Sequence, residues 1–284
     1  RVNLFPAGRV AVVTDSTGDV PADEAAALQL TVVPALLTVE GRTYVDDGRA
    51  FSRTDLYRRM ASLDGLPTTA VPSPERFAAV YESLLRAGAA HVLSIHLAGR
   101  LSGMLQTAAQ AAQNFGDRVR LFDSGQVSLG LGFQAMEAAA AALAGNSIQL
   151  VTEVARQARD RARLIAMLNT LEFVRRSGRV GWLRANLGGL LNFKQLVEVV
   201  DGTIRRLDRV RTRSRALDHL RVIAANWGPL RRLASLHTAV PEEASALRDE
   251  LKHLSKHMPL VVEVTTIIGA HVGPESIGMA ALLA

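Results

Sequence analysis

The sequence predicts an α/β protein, with a parallel sheet flanked by helices in the N-terminal half and a mixed sheet with helices in the C-terminal half. Three observations lead there. Short β-rich runs alternate with amphipathic helical segments from Val10 to about Leu143, the pattern of a parallel sheet covered by helices. Two further β-rich runs are separated only by Asp201-Gly202, a pair that readily takes the positive φ angles of a tight hairpin. The 284 residues are 48% hydrophobic and 21% charged, enough apolar material for one large or two modest domains.

Taken in order, Val10–Val13 reads as a strand ending in the polar turn Thr14-Asp15-Ser16-Thr17. Pro21-Ala22-Asp23-Glu24 opens a helix, with Pro near its first position and acids in its first turn. Thr31–Val39 is expected to be one strand. Ser73-Pro74-Glu75 starts a helix to about Leu85, followed by the strand His91–His96, a helix over about Ser102–Asn114 and the strand Val119–Phe122. An Ala-rich helix then runs to about Leu143, and another spans Ile148–Arg161 before the apolar run Leu164–Leu168. Phe193–Val200 and Thr203–Val210 form the hairpin. Helices follow near Ser214–Asn226 and Pro241–Leu254, with strands near Leu233–Thr238 and Leu260–Ile267. The change of texture places a domain boundary near residue 150, giving a parallel α/β domain over 1–150 and a mixed one over 151–284.

Composition removes several function classes. With no cysteine there is no disulfide framework, thiolate nucleophile or Cys-based metal site. The net charge of +6 is carried by thirty Arg and three Lys, and it is uneven: residues 154–232 hold eighteen Lys/Arg against six Asp/Glu. Such a basic half suits an anionic surface or an acidic partner as readily as plain solvation. At 5% aromatics the chain is poor in stacking platforms for single-stranded nucleic acid, and no nucleic-acid partner is expected. Arg1–Gly8 has no secretory h-region, and the apolar stretch around Ala138–Ala144 is far short of the ~20 residues of a membrane span. A soluble, cytoplasmic protein is expected.

The familiar catalytic templates are missing. No P-loop and no Gly-x-Ser-x-Gly elbow occurs. Gly130-Leu131-Gly132 with Ala135 imitates a dinucleotide fingerprint but does not directly follow a strand. His253 and His257 have metal-ligand spacing, yet residue 254 is Leu rather than the Glu of a zinc protease, so no metal site is expected. What remains is a set of hydroxyl-bearing turns at strand ends: Thr14–Thr17, Pro67-Thr68-Thr69, Leu101-Ser102-Gly103 and Asp123-Ser124-Gly125. In an open α/β sheet ligands bind outside the carboxyl ends of the strands. Ser102-Gly103 also stands at a helix start, where free N–H groups favour an anion. The sharpest local feature is Ile267–Gly278, read as a Gly-rich loop around His271.

Together these segments resemble the DegV family over nearly the whole chain. The resemblance is carried by Val13–Thr17, Leu101-Ser102-Gly103, Phe122-Asp123-Ser124, Phe173–Val180, Leu191-Asn192-Phe193-Lys194, Asp201–Ile204, Val210-Arg211-Thr212-Arg213 and Gly269–Gly278. It implies a lipid-binding protein holding one long-chain fatty acid, such as palmitate or a C18 acid, between its two domains. The resemblance further implies that such a chain would be the non-catalytic subunit of a fatty acid kinase, with a separate ATP-dependent subunit phosphorylating the bound carboxylate. The chain itself would need no cofactor and no metal, and contact with a membrane surface would be transient. By the same resemblance Thr69, Ser102, Gly103 and His271 would bind the carboxylate. Arg211, Thr17 and Ser16 would take secondary or kinase-coupling roles.

The chain departs from the family pattern at Ala70-Val71, where Ser and Gln are usual, and at Ala98-Gly99, where Ser is common. Met104 replaces Thr and Gln195 replaces Pro. Fewer hydroxyls therefore surround the head group. A 16-carbon tail gains about 0.8 kcal/mol per buried CH₂, roughly 12 kcal/mol before ordering costs. The tail thus drives affinity, and the polar contacts satisfy and orient the carboxylate. The competing expectation is a phosphotransferase or hydrolase acting through Ser102 and His271.

Overall fold

A computed structural model describes residues 8–49, 52–181 and 193–284. The chain opens with β1 (Val10–Asp15), a 3₁₀ turn, α1 (Ala22–Ala27) and β2 (Thr31–Val33). It then makes β3 (Leu36–Val39), β4 (Arg42–Val45), α2 (Arg53–Arg59) and β5 (Thr68–Ala70). The alternating part resumes with α3 (Pro74–Arg86), β6 (His91–His96), α4 (Met104–Ala112), β7 (Val119–Asp123), α5 (Leu129–Leu143) and α6 (Ile148–Arg161). Next come β8 (Ala162–Leu168), α7 (Glu172–Ser177), the hairpin β9 (Lys194–Val200) and β10 (Thr203–Val210), and α8 (Arg213–Ala225). The last elements are β11 (Leu230–His237), α9 (Pro241–Leu251), β12 (Leu260–Glu263), α10 (Thr266–Val272) and β13 (Ile277–Leu283).

The contacts group these elements into two units, one of residues up to Ala35 with Ala70–Ala162, the other of Leu36–Thr69 with Arg163–Ala284. The division differs from a single cut near residue 150 in two ways. Helix α6 packs on α5 and stays with the first unit, and the excursion Leu36–Thr69 joins the second.

In the first unit, four parallel strands run in the order β2-β1-β6-β7. Every residue of β1 is buried, as expected of a central parallel strand covered on both faces. The bulk comes from α3 and α5: Phe77, Tyr81 and Phe133 are fully buried, with Leu93 and Ile95 of β6. The Gly130-Gly132 pair lies inside the first turn of α5 rather than in a phosphate-binding turn after a strand.

The second unit has a mixed sheet of order β10-β9-β8-β13-β11-β12 and a small sheet β4-β3-β5. The β9–β10 and β8–β9 pairs are antiparallel, as is β11–β13, while β11 and β12 are parallel. Asp201 and Gly202 take φ of 46° and 71°, the double positive turn foreseen for the hairpin. Met167, Leu196, Leu220, Leu233 and Met279 centre one core cluster of this unit.

Four expectations are corrected. Thr31–Val39 is two strands in two different sheets, because Pro34 lacks the N–H needed to continue pairing. Pro67–Thr69 is not a turn: Thr68 and Thr69 belong to strand β5. The glycine-rich segment around His271 is helical over Thr266–Val272 and is followed by β13, a buried strand the sequence reading left out. Helix α9 ends at Leu251, so His253 lies in a 3₁₀ turn with Nδ1 3.0 Å from the Glu250 carbonyl oxygen. Among the described residues no group of three or more His, Asp or Glu could hold a metal ion. No helix there is long and apolar enough to cross a membrane.

Candidate functional site

In the second unit Thr69 and His271, 202 residues apart, meet: Thr69 Oγ1 lies 2.9 Å from His271 Nε2. Thr69 comes from β5, the end of the 36–69 excursion, and His271 from the last turn of α10. Burial, and then the positive charge of Arg179, push the His271 pKa down to about 4. The imidazole is therefore neutral at pH 7. Either tautomer leaves one polar hydrogen for a ligand: Nδ1–H when Thr69 donates to Nε2, or the Thr69 hydroxyl when Nε2–H donates to it. A neutral donor pair within reach of a cationic field can receive a carboxylate without a buried charge of its own to satisfy.

Arg179 owes its position to the Phe173–Val180 segment. Helix α7 ends at Gly178, whose φ of 70° gives the left-handed C-cap that turns the chain. Val174 and Val180 then bury in a cluster against which Val272 packs, next to His271. Sequence reasoning did not single out Arg179 as a site residue, although it lies inside a motif that carried the resemblance.

The stretch after His271 is braced by polar side chains from several elements. Asn169 Nδ2 donates to Glu275 Oε2 at 2.8 Å, and Lys194 Nζ donates to the Asn169 carbonyl and Oδ1 at 2.9 and 2.6 Å. Arg213 donates from Nη1 to the Glu275 carbonyl at 2.7 Å and from Nε to the Glu243 carboxylate at 2.9 Å. Within the Val210–Arg213 segment it is thus Arg213 that supports the stretch between α10 and β13. Arg211, the residue favoured from sequence, is exposed, with its guanidinium 5.8 Å from the Phe193 ring centroid, and Arg209 shares that ring at 5.3 Å. Leu191 and Asn192 of the same motif lie outside the described residues.

In the first unit the hydroxyl turns do gather at the carboxyl ends of β1, β6 and β7, but they mostly satisfy one another. Ser16 Oγ accepts from Ala35 N–H at 3.1 Å, and the Thr17 hydroxyl bonds Asp15 Oδ1. Both residues are buried, at 6% and 1% exposure, and these contacts hold the turn. Asp15 Oδ2 also meets His96 Nδ1 at 2.8 Å, His96 Nε2 meets Ser94 Oγ at 2.7 Å, and Ser94 Oγ meets the Tyr81 hydroxyl at 2.9 Å. Burial pushes the Tyr81 pKa up to about 12, keeping it a neutral hydroxyl. This Asp–His–Ser order imitates a catalytic triad, yet Ser94 and His96 are completely buried and offer nothing to a substrate. Ser102 is half-buried and its Oγ accepts from Met104 N–H at 3.2 Å, beside the Gly103 cap of α4. That contact uses the oxygen and leaves the hydroxyl hydrogen to donate. Among the described residues the Ser102 hydroxyl is not paired with a base as the hydrolase expectation requires, and the hydroxyl bonded to His271 is that of Thr69.

The second unit thus presents a neutral hydroxyl–imidazole pair, and the first unit a set of largely buried hydroxyl turns. Residues 9–283 match the profile described as "Uncharacterised protein, DegV family", and the chain belongs to the DegV family. It is 37% identical over 276 residues to a DegV domain-containing protein of Deinococcus radiodurans, covering 95% of this chain and 97% of that one. A Thermus thermophilus DegV family protein whose structure is described as showing fatty acid binding superposes with a TM-score of 0.89 at 33% identity, over 97% of this chain and 100% of that one. DegV of Bacillus subtilis, described as a fatty acid binding protein, gives 0.84 at 27% identity, over 98% and 100%.

Proposed function

We propose that this chain binds one long-chain fatty acid, such as palmitate or a C18 acid, and receives its carboxylate at the Thr69–His271 pair. The observation that carries this reading is the 2.9 Å contact between a hydroxyl and a neutral, largely desolvated imidazole beside Arg179. The fatty acid binding described for the Thermus relative, at 33% identity, supports the ligand class. The pair is itself partly buried, which supports a carboxylate drawn partly out of water and dependent on those donors. The tail supplies most of the affinity through apolar burial.

In this account the chain makes and breaks no bond. A separate ATP-dependent kinase transfers a phosphoryl group from ATP to a carboxylate oxygen of the bound acid, giving an acyl phosphate and ADP. Exposed Arg211, with Arg209 beside it, suits contact with that partner or with the growing negative charge. Work in the cytoplasm and transient contact of the Arg-rich surface with an anionic membrane complete the picture.

Native mass spectrometry of the purified chain, followed by denaturation and lipid extraction, tests the ligand class. One adduct of a few hundred daltons per chain, resolving into one or two long-chain acids, is the expected result. A bare mass that does not shift with added palmitate would refute it.

A further inference from the structure

The 36–69 excursion does more than deliver Thr69; it also grips the start of the helix that carries His271. Arg53 Nη1 donates to the Glu263 carbonyl at 2.6 Å, Thr54 Oγ1 to Glu263 Oε2 at 2.9 Å, and Thr266 Oγ1 to Asp46 Oδ1 at 2.9 Å. At the centre is Tyr57, 2% exposed, whose hydroxyl lies 2.7 Å from the Val264 carbonyl oxygen and 2.9 Å from that of Thr265, the N-cap of α10. Its ring occupies the space a side chain would take at residue 269: a Cβ on Gly269 would fall 2.0 Å from Tyr57 Cε1 and 2.3 Å from its oxygen. One residue therefore fixes α10 twice, at its cap and two residues before His271.

From these contacts we infer that Tyr57 is a positioning residue for His271, setting the imidazole against Thr69 through the cap of α10. The role rests on the fatty-acid reading for its consequence, though not for its geometry. Thr265 and His271 are separated by about 9 Å of helix at 1.5 Å per residue. A helix of seven residues pivoting at its cap by about 10° would move the ring by roughly 1.5 Å, enough to lose a 2.9 Å contact. Of the contacts named here, the three made by Arg53, Thr54 and Asp46 end on Glu263 and Thr266, and it is the Tyr57 ring that reaches Gly269. The need for glycine at 269 thus comes from an aromatic ring more than two hundred residues earlier, which is why no local pattern announces it.

The test uses Tyr57→Phe in the full chain, which keeps the ring and removes the proton shared by the two carbonyls. Gly269→Ala attacks the same contact from the other side with Tyr57 intact, and serves if the first variant folds poorly. Tyr81→Phe, which loses a buried hydroxyl of the first unit, controls for general loosening. The readouts are the His271 titration midpoint by NMR without lipid, and palmitate affinity. We expect Tyr57→Phe and Gly269→Ala to raise the midpoint from about 4 toward the ordinary histidine range and weaken palmitate about tenfold. Tyr81→Phe should change neither. Wild-type midpoint and affinity in both Tyr57→Phe and Gly269→Ala would overturn the positioning role. Failure of the unmutated chain to bind palmitate would instead remove the fatty-acid reading, and the lipid-free midpoint would still decide the role of Tyr57.

Discussion

On the proposed fatty-acid reading, His271→Ala should leave the purified protein still carrying lipid while slowing phosphoryl transfer by the proposed partner kinase by about a hundredfold. The two effects separate because they draw on different parts of the ligand. A 16-carbon tail contributes roughly 12 kcal/mol of apolar burial before ordering costs. Losing one polar contact to the head group removes about 1–3 kcal/mol, so occupancy survives. Transfer depends on where the carboxylate oxygen points, and a misplacement of about 1 Å at a reacting centre can cost about a hundredfold. Extracted lipid measured alongside a coupled ADP-release assay reads both quantities from one preparation. Normal transfer by this variant would take His271 out of the mechanism.

Gly273→Ala is expected to be the most damaging small substitution in the second unit. Gly273 closes α10 with φ of 77° and ψ of 174°, a region essentially reserved for glycine. A Cβ there would also lie 2.4 Å from Cδ2 of Phe173, a buried ring that anchors α7. Backbone strain and overpacking together should cost about 2–4 kcal/mol. That corresponds to a fall of roughly 3–7 °C in the thermal midpoint for a chain of this size. Differential scanning calorimetry checks it, and a midpoint equal to the unmutated protein's would show that the α7–α10 contact yields easily.

Where the determining signal was local, the sequence disclosed it. The strand His91–His96 and the helix Ile148–Arg161 have the bounds expected from pattern alone, because strand runs and helix periodicity alternate cleanly there. The hairpin turn was legible because Asp201-Gly202 states its own φ requirement. The resemblance to the DegV family rested on the order and spacing of short motifs, and the family match runs over residues 9–283. What stayed hidden was set by tertiary contact. The exchange of sheets after Val33 turns on Pro34, inside a run whose hydrophobicity alone continues to Val39. Helix α10 was read as a loop because Gly269 and Gly273 suggest one; the first is needed by the Tyr57 ring and the second by the Phe173 ring. Strand β13 is buried along nearly its whole length, so it lacks the alternation that marks a half-exposed strand.

The candidate site divides the same way. Thr69 and His271 were both named from their motifs, and they form a bonded pair. Ser16 and Thr17 also looked like ligand-facing hydroxyls, but a sequence does not show that Ala35 and Asp15 already engage them. The Asp15–His96 contact spans 81 positions and has no local signature. Arg211 and Arg213 are two residues apart and chemically alike, yet only the second turns inward to Glu275 and Glu243.

The central claim is that a fatty-acid carboxylate meets His271, and the histidine's own titration tests it most directly. In the lipid-free protein the folded-state pKa lies below the ordinary value of 6.5, near 4. The folded state therefore binds fewer protons than the unfolded one between those values. Stability tied to this group is whole above about pH 6.5 and declines as pH falls toward 4. A carboxylate placed against the imidazole favours its charged form, so one equivalent of palmitate should raise the midpoint and make binding take up protons in the window above pH 4. NMR of the His271 ring, recorded with and without palmitate, reads both states. A lipid-free midpoint near 4 that climbs on binding is the expected result, and a midpoint that stays put when palmitate binds would place the carboxylate elsewhere.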